Sequence, residues 1–199
     1  RITAATFGAG KGGNLNVTAD TVELIGRSTD GQFPSGLFAS SQAGSTGDAG
    51  DLTINTQQLL VRNGAGVFVR SLGKGNAGNM KVTARSIKLD NQASLTASTT
   101  SSDGGNITFN ILDYLLMRRN SNISTSAGGN GGNILINNLP GYWGFVIAAP
   151  DENSDITANA FTGQGGKVDI NSNGIFGFVP RSREDLERLR PNDLDPTKI

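Results

Sequence analysis

The chain contains no cysteine and no histidine. These two absences remove thiol nucleophiles, disulfides, Cys/His zinc sites and imidazole acid–base chemistry. An excess of charge is lacking too, since 17 basic residues balance 17 acidic ones. Nucleic-acid binders carry a basic surplus that displaces counterions, so no nucleic-acid partner is expected. No apolar run approaches the length of a membrane span, and no membrane insertion is expected. Aromatic residues are scarce, with one Trp and two Tyr. Sustained helical periodicity is missing as well, which argues against an α-solenoid.

What the chain has is glycine and repetition. Gly12-Gly13-Asn14-Leu15-Asn16-Val17 returns as Ala49-Gly50-Asp51-Leu52-Thr53-Ile54, Ala77-Gly78-Asn79-Met80-Lys81-Val82 and Gly104-Gly105-Asn106-Ile107-Thr108-Phe109. Two further copies are Gly131-Gly132-Asn133-Ile134-Leu135-Ile136 and Gly165-Gly166-Lys167-Val168-Asp169-Ile170. Measured between the second glycines (13, 50, 78, 105, 132, 166), the intervals are 37, 28, 27, 27 and 34 residues. A period in this range marks stacked supersecondary units.

The copy that starts at Gly78 shows the unit most clearly. Met80, Val82 and Ala84 alternate with Lys81 and Thr83; Ile87 and Leu89 flank Lys88; Leu95 and Ala97 alternate with Thr96 and Ser98. Period-two alternation means strands. The spacing predicts an all-β, right-handed parallel β-helix, a solenoid of about six coils of roughly 27 residues with three short strands each. At a strand spacing of ~4.8 Å the rod is about 30 Å long.

Aligned copies predict inward columns. One runs through Leu15, Leu52, Met80, Ile107, Ile134 and Val168, and a second through Val17, Ile54, Val82, Phe109, Ile136 and Ile170. The second leg is expected to bury Val22, Leu59, Ile87 and Tyr114, then Leu24, Val61, Leu89 and Leu116. Outward Leu60, Leu115 and Phe68 are expected to form an apolar patch. The Gly pairs are expected to supply positive φ at tight corners. The Asn after each pair is read as a ladder between coils rather than a ligand site.

The organisation expected is a β-helix over residues 1–180, with longer loops near 26–35 and 138–153, and a charged linker or short helix over 181–199. Arg1-Ile2-Thr3-Ala4-Ala5-Thr6 reads like the last strand of an earlier repeat, as in a fragment of a longer array. Open terminal coils then predict end-to-end self-association. The long loop of the fifth coil holds Tyr142 and Trp143, which form a possible recognition loop, against the plainer reading that they cover a hydrophobic column.

No cofactor, metal or catalytic residues are expected. A carbohydrate-active β-helix gathers carboxylates with Arg or Lys on adjacent coils. Here Lys81, Lys88 and Asp90 share one coil, but the equivalents are Thr53, Leu60 and Arg62 in coil two and Thr108, Leu115 and Met117 in coil four. An outward Thr array that could match a crystalline surface is interrupted, because Lys81 separates Thr53 from Thr108.

Gly104-Gly105-Asn106-Ile107-Thr108, Asp90-Asn91-Gln92-Ala93-Ser94-Leu95-Thr96-Ala97 and Asn153-Ser154-Asp155-Ile156-Thr157-Ala158-Asn159-Ala160-Phe161 resemble repeats of large cyanobacterial exoproteins of the filamentous-haemagglutinin type. The resemblance covers essentially the whole chain. It implies a right-handed parallel β-helix in a parent protein exported by an outer-membrane partner transporter, the two-partner secretion route. It also implies a secreted or cell-surface, non-catalytic structural and adhesive role, in adhesion, surface layers or biofilm. Surface glycans or other cell-surface proteins are the partners implied. The alternative is a carbohydrate-binding or carbohydrate-active β-helix of the lyase or hydrolase kind.

Overall fold

The computed structural model describes residues 1–178. The linker or helix expected over 181–199 lies outside the described residues. The chain begins with β1 (Ile2–Thr6), β2 (Leu15–Ile25), β3 (Gly36–Ser41), β4 (Leu52–Arg62) and β5 (Gly66–Ser71). It continues with β6 (Met80–Asp90), β7 (Ser94–Thr99), β8 (Ile107–Met117), β9 (Asn122–Ala127) and β10 (Ile134–Asn138). The last strands are β11 (Phe145–Ala148), β12 (Asp155–Ala160), β13 (Val168–Asn171) and β14 (Gly174–Phe176).

Short strands β1, β3, β5, β7, β9 and β12 stack into one parallel sheet, in that order. Long strands β2, β4, β6 and β8 stack into the other, continued by β10 and β13, with β11 and β14 beside them. The chain is therefore a parallel β-solenoid, and its six Gly anchors bound about five turns.

In the first four coils two of the three expected strands run on as one, as β2, β4, β6 and β8, whereas in coil five they stay separate as β10 and β11. In β6 the inward residues are Met80, Val82 and Ala84, then Ile87 and Leu89, so the alternation slips by one at Arg85-Ser86. Pairing between β4 and β6 passes over Gln57 and Arg85 there. The slip turns the second leg without breaking the strand.

Coil four corrects the expected columns. Ala84 pairs with Ile111 and Ser86 with Tyr114, so Leu112 and Asp113 face the single residue Arg85, a β-bulge. The extra residue moves every later inward position by one. Leu115 and Met117 are fully buried where Tyr114 and Leu116 were expected, and Tyr114 is exposed. Leu115 thus belongs to no surface patch, and Leu116, not Leu115, occupies the position of Lys88. Asp113 is held by the Arg85 guanidinium, 3.2 Å from each carboxylate oxygen. Phe68 faces outward as expected but is covered, at 8% exposure.

The anchor glycines are needed for a different reason than expected. None of them has positive φ; instead Gly50, Gly78, Gly105, Gly132 and Gly166 approach the preceding coil closely, while Gly13 meets nothing nearer than 3.7 Å. Positive φ occurs at the corner after the second leg, at Asn63, Gly64, Asn91, Gln92, Arg119, Asn120 and Asn153. Asn tolerates the left-handed region better than other non-glycine residues, which explains its frequency there.

The Asn ladder is present. Side-chain Oδ1 of Asn14 accepts from the Asp51 N–H at 2.9 Å, Asp51 from Asn79 at 2.7 Å, and Asn79 from Asn106 at 3.1 Å. Asn106 accepts from Asn133 at 2.9 Å and Asn133 from Lys167 at 2.8 Å. A second ladder runs three residues earlier, through Asp48, Asn76, Asp103, Asn130 and the Gln164 N–H. Each rung satisfies a corner N–H that the sheets do not pair.

Candidate functional site

The seven extra residues of coil five divide among three places. Asn138 pairs with Ile111 and Phe145 with Tyr114, so seven steps stand where coil four takes three. Ala148 pairs with Met117 and Asp155 with Asn122, so seven steps stand where coil four takes five. The remaining one lies in the Gly-rich corner after Ala160. Both expected sites of insertion are thus used, and the larger one carries Tyr142 and Trp143.

That loop is pinned at its neck. Asn138 Nδ2 donates to the Tyr142 carbonyl and to Asn173 Oδ1, each at 2.5 Å, while Gly144 N–H donates to Asn138 Oδ1 at 2.9 Å. Tyr142 N–H donates to the Leu139 carbonyl at 3.1 Å, and Gly141 takes positive φ at the turn. Trp143 is 73% exposed and Tyr142 42% exposed. The Trp143 ring therefore stands in solvent on a closed loop, with Tyr142 partly exposed beside it.

The first insertion behaves differently. Residues 26–35 form a small antiparallel hairpin, with Arg27 bridged to Pro34 and Ser28 N–H donating to the Phe33 carbonyl at 2.7 Å. Arg27 folds back along the rod and donates to the carbonyls of Gly31 and Gly64. It is a bracket between coils.

A third feature is the corner beside Pro150–Glu152. Arg118 donates through Nε and Nη2 to the two Glu152 oxygens at 2.5 and 2.6 Å, and the Arg119 N–H adds a bond of 3.0 Å. Arg119 turns the other way and clasps Asp90 with two hydrogen bonds. Two adjacent arginines thus join three successive coils. The corner forms a shallow open depression lined by Asn91, Gln92, Arg119, Asn120 and Glu152.

Its carboxylates are held as anions. The Arg118 hydrogen bonds bring the Glu152 pKa from 4.5 down to about 2, with help from the Arg119 N–H. Hydrogen bonding by Arg119 lowers Asp90 likewise. Neither group holds a proton to donate near neutral pH. Lys81 and Lys88 point outward on separate legs of the same coil. Among the described residues no group of three or more acidic, Cys or His side chains comes together as a metal site. No described helix is long and apolar enough to cross a membrane.

The depressed carboxylates have a consequence in acid. Both bind a proton less readily folded than unfolded, so their stabilisation is complete above the ordinary Glu pKa of 4.5. It is lost as pH falls from there toward about 2. Loss of structure followed by circular dichroism is expected to steepen across that window. The Glu152→Gln variant is expected to respond less to pH there; an unchanged profile would mean the pair is not linked to folding.

The comparisons with protein families, with curated proteins and with solved structures find no match to this chain.

Proposed function

We propose that this chain is a non-catalytic structural and adhesive rod segment that presents the Tyr142–Trp143 loop to a surface ligand. The observation that carries the proposal is the exposed Trp143 on a loop closed by Asn138. An exposed indole on a mobile loop would lose affinity to ordering; here the backbone is already fixed. Aromatic rings of this kind suit the apolar faces of sugars and the side chains of partner proteins. Regular coils with two amide ladders supply a stiff support.

The sequence resemblance supports the wider reading, that the segment belongs to a secreted or cell-surface exoprotein of the filamentous-haemagglutinin type carried out by an outer-membrane partner transporter. Within the carbohydrate alternative, the arginine-bound state of Asp90 and Glu152 favours binding over hydrolysis or elimination.

A glycan array probed with the soluble chain tests the proposal. Saturable binding is expected, and Tyr142→Ala with Trp143→Ala is expected to abolish it while leaving the melting temperature within about 2 °C. Binding retained in the double variant would move recognition elsewhere on the rod. Absence of any binding would leave the loop without this role.

A further inference from the structure

The outer face of the short-strand sheet carries a feature that the rod does not need for its core. Leu37, Ala39, Val67 and Val69 belong to the core, so Phe38, Phe68 and Arg70, which alternate with them, lie on the other face, where both rings are covered. Phe38 and Phe68 are in register on adjacent coils and stack with centroids 4.9 Å apart. Arg1 lies 4.2 Å from the Phe38 centroid, and Arg70 lies 5.4 and 5.0 Å from Phe38 and Phe68. Two guanidiniums thus rest on one pair of rings.

Among the described residues no carboxylate pairs with either guanidinium. Six ion pairs occupy Lys11, Arg62, Arg85, Arg118, Arg119 and Lys167 among the described residues, and neither Arg1 nor Arg70 takes part in one. Arg70 is half-buried, and its buried Nε has no hydrogen-bond partner. Burial lowers its pKa, and Arg1, a second cation, lowers it further. A cation drawn partly out of water beside another cation is normally offset by an anion. Cation–π contact offsets part of that cost, about 0.5–2 kcal/mol.

The surroundings indicate which anion. Arg70 lies in a row between Ser40 and Ser98; Ser40 is buried, with Gln42 Nε2 donating to its Oγ at 2.9 Å, so the accessible part of the row runs from Arg70 to Ser98. The same face continues through Thr96, Ser124, Ser126, Thr157 and Asn159. Neutral hydroxyls and amides spaced one coil apart suit a ligand that brings many hydroxyls and an occasional planar anion. A guanidinium fork matches a carboxylate in two parallel hydrogen bonds.

We propose that Arg70, with Arg1, binds the carboxylates of an acidic, uronate-bearing polysaccharide laid along the Ser/Thr face of the short-strand sheet. The site extends the adhesive reading above, on which it rests, to a chemical class of ligand, and it lies apart from the Tyr142–Trp143 loop. Calorimetric titration of the whole chain with oligogalacturonate tests it, with neutral dextran as control. Saturable binding is expected, weakened by added salt. Arg70→Met keeps an unbranched cover over the rings and removes the charge; it is expected to weaken binding at least about tenfold. Arg70→Lys is expected to fall between the two, and Arg1→Gln to lose severalfold should the Met variant fail to fold. Oligogalacturonate binding unaltered by Arg70→Met in a folded chain overturns the proposal, as does equal binding of dextran. The Tyr142→Ala, Trp143→Ala chain separates the two ideas. Uronate binding is expected to survive in it; array binding through that loop without uronate binding would retain the adhesive reading and remove this site.

Discussion

Gly105→Ala is expected to lower stability by at least about 3 kcal/mol, or to prevent folding altogether. A methyl group at this position would stand 1.7 Å from the Gly78 carbonyl oxygen and 2.8 Å from its carbon. Both are backbone atoms of the neighbouring coil, so no side chain can swing away to make room. Relief would require the coils to part, and parting them breaks the ladder bond from Asn106 to Asn79 and the strand pairing on either side. The same obstruction recurs at Gly78, Gly132 and Gly166, whose added methyls would lie 2.2, 2.0 and 1.9 Å from the preceding anchor's oxygen. Gly8→Ala is the control. It has open space around its Cβ and no positive φ, so a change within about 0.5 kcal/mol is expected. Urea unfolding of the two variants measures the difference. Similar midpoints would mean that coil spacing is adjustable and that the repeated glycine has another cause.

That column also shows how far the sequence could be read. The repeat and its period-two alternation sufficed for the solenoid, for two inward columns except Val168, which is exposed in the last described layer, and for the ladder from Asn14 to Asn133. They misjudged the physical need for the second glycine, because close approach between coils and positive φ leave the same residue in the sequence. The inward column through Tyr114 and Leu116 failed for a simpler reason. Counting from the anchor assumes a constant corner, and Asp113 adds one residue inside the corner of coil four. A signal was present: Leu115 and Met117 continue the apolar alternation as well as Tyr114 and Leu116 do, and only Arg85 opposite Asp113 decides between them. The second ladder could have been found from Asp48, Asn76, Asp103 and Asn130, each two residues before an anchor. Exposure of Trp143 could not, since it depends on how Asn138 closes its loop. The Arg1–Phe38–Phe68–Arg70 stack was equally hidden, because it joins residues of three coils that only the register brings together.

Phe109→Ala is expected to have the largest effect among core truncations, about 3–5 kcal/mol. Its ring is fully buried and lies between Val82 and Ile136 in register on the coils before and after. Both neighbours are shorter than the ring that is removed, and their backbones are fixed by pairing on both sides. The cavity left behind therefore collapses poorly, which is the condition under which truncation costs most. In a solenoid each coil is stabilised mainly by the two beside it, so position along the rod should set the cost. Ile170 occupies the same column as Phe109 but in the last described long-strand layer, where it is only half-buried. Ile170→Ala has less contact to lose; about 1 kcal/mol is expected. Ile54→Ala, fully buried nearer the other end, is expected to cost about 2–4 kcal/mol. Chemical unfolding of the three variants reads the gradient directly. If Phe109, Ile54 and Ile170 truncations gave equal losses, stability would be shared evenly along the rod, and the nearest-neighbour account of its coils would be wrong.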